Sequence, residues 1–202
     1  MTSWIKHELI LSTLGKEVLN QDPGLQEKIS TALCHARLTS LYGGATLWSI
    51  LLKDIFPRYP NGISDLLLKD ELEKRLGANV KTGPFFSSYS GMFENLSLVV
   101  RTGTQTRIAR ASFDRDLIYV YAYALLYEWE KAFPVQQEIT ASELNSLHIG
   151  ETFGLPASTF YEVLESLTER GIVRFNRQLA PYTLLRLHQS ESMIPLLYSE
   201  LC

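Results

Sequence analysis

The chain has 202 residues, 46% of them apolar and 20% charged, with a formal net charge of −3. This ordinary globular composition suits one domain or two small ones, and it excludes a protein that is basic over its whole surface while leaving room for a local basic patch. The two cysteines, Cys34 and Cys202, lie far apart and give neither a disulfide framework nor a zinc spacing, so a reducing cytoplasm is the expected location.

Residues 3–37 are predicted helical in two pieces. Ile5, Leu9, Leu14 and Val18 roughly follow the helical period, Asp22-Pro23-Gly24 breaks the chain, and Leu25, Ile29, Ala32, Leu33 and Ala36 mark a second apolar face. Lys6, His7 and Glu8 interrupt the first apolar run, so it does not read as a signal peptide. After Gly43-Gly44, residues 45–56 form a strongly apolar helix that Pro57 and Pro60 terminate. Ser64 caps the next helix and Gly77 ends it. In the following segment Phe86, Tyr89, Phe93 and Leu96 stand at helical spacing, a pattern that Gly91 weakens. Two short strand-like runs then flank Thr102-Gly103-Thr104-Gln105, the signature of a hairpin.

Residues 113–133 are predicted to form the longest helix, stopped by Pro134. Its run Leu117–Tyr127 is only 11 residues long, against the roughly 20 needed to cross a bilayer, so a buried helix and no membrane association are expected. Thr140 with Glu143 makes a capping box, and Ile139 can pack on Leu144 as a hydrophobic staple. Phe160, Val163, Leu164 and Leu167 form one buried stripe on the next helix, which Gly171 ends. A strand pair around the loop 176–181 and a short helix from about Glu191 complete the chain.

These elements repeat. A helix, a turn, a second amphipathic helix and a β-ribbon run from Ile139 to His188, and a less regular copy runs from Ile63 to Ala111. The predicted fold is therefore mainly α: an N-terminal helical pair (1–44) and two tandem winged-helix-like units (45–112 and 113–202) with small β-hairpin wings.

No catalytic or metal-binding constellation stands out. The chain lacks a P-loop, a Gly-x-Ser-x-Gly elbow and a His-Glu-x-x-His pair. His7, His35, His148 and His188 are scattered, and the acidic run Asp70-Glu71-Leu72-Glu73 is explained by helical pairing with nearby lysines. No cofactor is expected. Between Lys74 and Arg115, however, seven basic residues face two acidic ones, a net of +5. Lys81, Arg101, Arg107 and Arg110, with the polar Ser87, Ser88, Ser90 and Asn95, form the candidate surface for double-stranded DNA, since such groups suit phosphate contacts. Phe85, Phe86, Tyr89 and Phe93 fit core packing better than base stacking. In the second copy Glu162, Glu165 and Glu169 face outward where a recognition helix would meet DNA, which predicts repulsion from phosphates and a protein-contact or homodimer role.

The order of residues 45–52, 80–96, 113–129 and 142–187 is similar to a poorly characterised bacterial family found beside DNA-phosphorothioation and other phage-defence genes. The chain also resembles tandem winged-helix proteins, which include DNA-binding regulators and the winged-helix partners of chromosome-organising SMC ATPases. The resemblance implies a non-enzymatic DNA-binding accessory factor for defence or mobile elements or, alternatively, an adaptor subunit of a larger complex. It implies no catalytic residue.

Overall fold

The computed structural model describes residues 10–176 and 181–200. Residues 3–9 of the first predicted helix and the loop tip 177–180, with Arg177, lie outside the described residues. The chain is mostly helical and carries two antiparallel sheets of three strands each.

α1 (Thr13–Gln21) and α2 (Lys28–Leu38) follow the two predicted pieces. Ser12 caps α1 by accepting from the amide of Gly15, and Asp22 at the break accepts from the amides of Gln26 and Glu27, satisfying donors at the start of α2. α3 (Thr46–Ile50) runs on through a π-helical turn, Leu51–Ile55, and a 3-10 turn, Phe56–Arg58. The prolines stop it as expected. The π turn departs from the ordinary helix that the apolar pattern predicts: Phe56 N–H bonds to Leu51 C=O, and the wider turn buries Leu51, Leu52, Lys53, Ile55 and Phe56 together.

β1 (Ile63–Ser64), α4 (Asp65–Leu76), α5 (Gly83–Tyr89), β2 (Val99–Thr102) and β3 (Gln105–Ile108) follow, with sheet order β1-β3-β2. α5 ends before Gly91, and the expected continuation becomes a separate 3-10 turn, Glu94–Leu96. After a 3-10 turn, Arg115–Leu117, comes the long α6 (Ile118–Ala132). β4 (Glu138–Thr140), α7 (Ala141–Ser146), α8 (Ile149–Phe153), α9 (Ala157–Glu169), β5 (Val173–Asn176) and β6 (Thr183–Arg186) complete the second sheet, ordered β4-β6-β5. A 3-10 segment, Ser190–Leu196, occupies the position of the expected last helix. The Thr140–Glu143 capping box forms with both of its bonds. The turn predicted between the two helices of the second copy is itself helical, as α8.

The apolar residues form two cores. One gathers Leu51, Leu52, Ile55, Phe85 and Tyr89 with the residues of the first sheet, and the other joins α6, α9 and the second sheet. α2 serves both: Ile29, Ala32, Leu33 and Ala36 enter the second core, while Cys34 and Leu38 pack on the first. His35, wholly buried on the same helix, ties the cores together. Its Nε2 lies 2.7 Å from the Thr152 carbonyl of α8, and its Nδ1 lies 2.9 Å from the Tyr89 hydroxyl of α5. A carbonyl only accepts, so Nε2 carries the proton and Nδ1 accepts from Tyr89. Burial holds the His35 imidazole down at about 4, with the charge of Lys53 acting the same way and the Thr152 bond opposing, so the ring is neutral.

The seam is close elsewhere too. Gly154 (φ +66°) accepts from the amide of Ala111 at 2.9 Å, and a Cβ there would stand 2.6 Å from the Ala109 carbonyl oxygen and 2.7 Å from Leu98 Cδ1. Lys53 of the π turn and Glu128 of α6 face each other at 3.5 Å with side chains 3% and 4% exposed.

Candidate nucleic-acid interface

The candidate surface is built on the first sheet and α5. β2 and β3 are joined by the two-residue turn Gly103-Thr104, with Gly103 at φ +59°, a conformation suited to glycine at the first position of a tight hairpin. Thr102, Gly103, Thr104 and Gln105 are all exposed, so the hairpin projects.

Register separates the arginines. Arg101 pairs across the ladder with Thr106, and Val100 with Arg107. Directly opposed residues share a face, and Thr106 is buried, so Arg101 lies on the helix side of the sheet and Arg107 on the other. Arg101 is held there: its Nη2 lies 2.6 Å from the Asp65 carboxylate and its guanidinium 4.5 Å from the Phe86 ring centre. Arg110, beyond the strand, lines a groove of about 370 Å³ with Phe56, Pro57, Glu151 and Pro156.

The polar candidates divide as well. Ser87 and Ser88 donate to the Pro84 carbonyl, and Ser90 donates to Phe86 and Ser87, so these hydroxyls turn back on their own helix. Asn95 is exposed, but its Oδ1 accepts from the Thr31 hydroxyl of α2 at 2.9 Å, which makes it a strut between elements. Lys81 is exposed in the loop before α5. Phe85, Tyr89 and Phe93 are buried, and Phe86 packs against the same core. These rings are core rather than a stacking surface.

Charge pairing distinguishes two sets of cations in this region. Lys69, Lys74, Arg75 and Arg58 are all paired to acids of α3–α4, including Asp54, Asp70, Glu71 and Glu73. By contrast Lys81, Arg107, Arg110 and Arg115 are exposed and form no ion pair among the described residues. Arg115 was legible as part of the basic run. Asp65, the partner of Arg101, was not, because it lies 36 residues upstream.

No protein-family model, curated protein or solved structure matches the chain.

Among the described residues no group of three His, Cys, Asp or Glu side chains is placed to hold a metal ion, and no helix is long and apolar enough to cross a membrane. Glu162, Glu165 and Glu169 are exposed on α9, as the helical spacing predicts. Arg186 of β6 is tucked 5.7 Å from the Trp129 ring centre with its side chain 9% exposed.

Proposed function

We propose that the chain is a non-enzymatic DNA-binding protein made of two winged-helix units, 45–112 and 113–202, and that the first unit grips the phosphate backbone. The carrying observation is the set of exposed cations Lys81, Arg107 and Arg110, with Arg115 just past the end of that unit, unpaired beside a helix whose own cations are neutralised. The repeated order helix, strand, two or more helices and hairpin, with the first strand pairing the last in both sheets, supports the winged-helix reading. Arg101 plays a lesser part, since contact with DNA requires it to leave Asp65. Unpaired cations supply the counterion-release part of affinity without first breaking an ion pair. The family resemblance supports a place among phage-defence or mobile-element accessory factors.

Fluorescence anisotropy with labelled duplex DNA across a salt series tests this reading. The triple variant Lys81→Ala/Arg107→Ala/Arg110→Ala is expected to weaken binding to all sequences and to lower the slope of log affinity against log salt by about 3. An unchanged slope removes this surface from consideration.

A second reading rests on the carboxylates of α9. Three outward glutamates on the helix that would enter a groove favour a protein partner, so an adaptor role within a larger complex follows for the second unit. Copurification of the native protein from its host tests it, and migration alone at monomer size counts against it.

A further inference from the structure

The groove of about 370 Å³ beside Gly154 joins an apolar floor to two opposite charges that do not meet. Leu52, Phe56 and Leu155 are buried in its floor, and Ile108 is half-buried beside them. Leu52, Phe56 and Ile108 pack with the first core and Leu155 with the second, so the floor exists only where the two cores abut. A concave, mainly apolar site with a few fixed polar groups is the usual form of a small-molecule site.

Arg110 and Glu151 supply the charged groups. They spring from neighbouring stretches of backbone: the Ala111 amide donates to the Gly154 carbonyl at 2.9 Å, and the Gly154 amide donates to the Glu151 carbonyl at 3.3 Å. One small molecule can therefore reach both side chains. Yet they form no ion pair with each other, and Arg110 forms none with any described residue. Glu151 is ionised. Burial opposes its charge, while the His148 ring, its own amide and the charge of Lys53 hold its carboxyl below the usual value. Neither side chain neutralises it: His148 Nδ1, 3.5 Å away, is charged only when the ring is protonated, and Lys53 is committed to Glu128.

We propose that this groove binds an apolar α-amino acid, with its carboxylate on Arg110, its ammonium on Glu151 and its side chain on Leu52, Phe56, Ile108 and Leu155. The lining carries one charge of each sign. An ion of either sign alone leaves one of the two unanswered, whereas a zwitterion answers both with charge-assisted bonds. An aliphatic or aromatic side chain then gains by leaving water for the floor. Arg110 also belongs to the DNA surface proposed above, but amino-acid binding here needs no DNA, so the two readings fail separately.

Isothermal titration calorimetry on the full chain, without DNA, tests the assignment. L-leucine and L-phenylalanine are the ligands, and each probe lacks one group: glycine the apolar side chain, phenethylamine the carboxylate, and 3-phenylpropionate the ammonium. One or both of the apolar amino acids is expected to bind, and every probe about ten-fold more weakly or worse. Arg110→Gln, at an exposed position, is expected to weaken the amino acid about ten-fold and not to weaken phenethylamine, a selectivity that general damage to the groove does not produce. Glu151→Gln is expected to weaken the amino acid without weakening 3-phenylpropionate. Arg110→Gln keeps the test decisive should Glu151→Gln fail to fold. Absence of binding by both amino acids overturns the proposal. So does equal binding by any of the probes, or an affinity that Arg110→Gln leaves unchanged.

Discussion

His35 couples stability to pH with a definite sign. The neutral ring is held between Thr152 and Tyr89, with its pKa lowered from 6.5 to about 4 by burial. The folded chain therefore resists a proton that the unfolded chain accepts, so stability is fully present above about pH 6.5 and is lost as pH falls toward 4. Each tenfold difference in proton affinity between the folded and unfolded chain is worth about 1.4 kcal/mol; integrated from pH 7 to pH 4.5, the lost stability is about 2.5 kcal/mol. The ring is wholly buried, so solvent screening does not discount the figure. Carboxylates also titrate in this range, and a variant must separate them. His35→Gln retains an amide N–H for Thr152 and a carbonyl for Tyr89 but has no titrating group. Urea unfolding followed by tryptophan fluorescence, to which buried Trp129 contributes, at both pH values and for both proteins, isolates the imidazole. The wild type should lose about 2.5 kcal/mol more than the variant over that interval. Equal losses in the two proteins would refute a neutral, trapped His35.

Two further perturbations probe the same seam. Gly154→Ala places a Cβ into the Ala109 carbonyl and Leu98 at a positive φ, and is expected to cost about 3 kcal/mol or more in urea unfolding; a cost below about 1 kcal/mol would mean the two units separate easily there. Lys53→Met leaves Glu128 buried without its cation and should cost about 3–5 kcal/mol, while the double change Lys53→Met/Glu128→Leu should recover part of that loss. Strict additivity of the two single effects would show that the ion pair carries no coupling.

Local chemistry was readable from residue types. The Thr140–Glu143 box, the Ser64 cap, the stops at Pro57 and Pro134 and the Gly103 hairpin each depend on residues within a few positions of one another, so the sequence displays both partners at once. The wider features depend on partners far along the chain. The π turn after Ile50 has no composition signature, since its apolar pattern also fits a regular helix. α8 hides in a five-residue stretch with a glycine inside it. Of the candidate surface, the exposed positions of Lys81, Arg107 and Arg110 agree with the polar reading of their segments. The capture of Arg101 by Asp65 and of Asn95 by Thr31 depends on side chains meeting through the fold, and the opposite faces of Arg101 and Arg107 follow only once the strand register is known.

The position of α2 between the two cores has a consequence for how the protein is made. The helix leaves the ribosome well before its bonding partners: Leu41, just past its end, meets Glu128, His35 meets Thr152, and Ser30 meets Tyr198. Contacts this distant in sequence slow folding. An apolar helix that reaches the solvent before its partners exist has to wait for them, and exposed apolar surface is what aggregates during such a wait. The first sheet can assemble early, but the helix that joins its core to the second core is locked only when residues near 198 arrive. A stretch made 168 residues later thus completes the packing of α2.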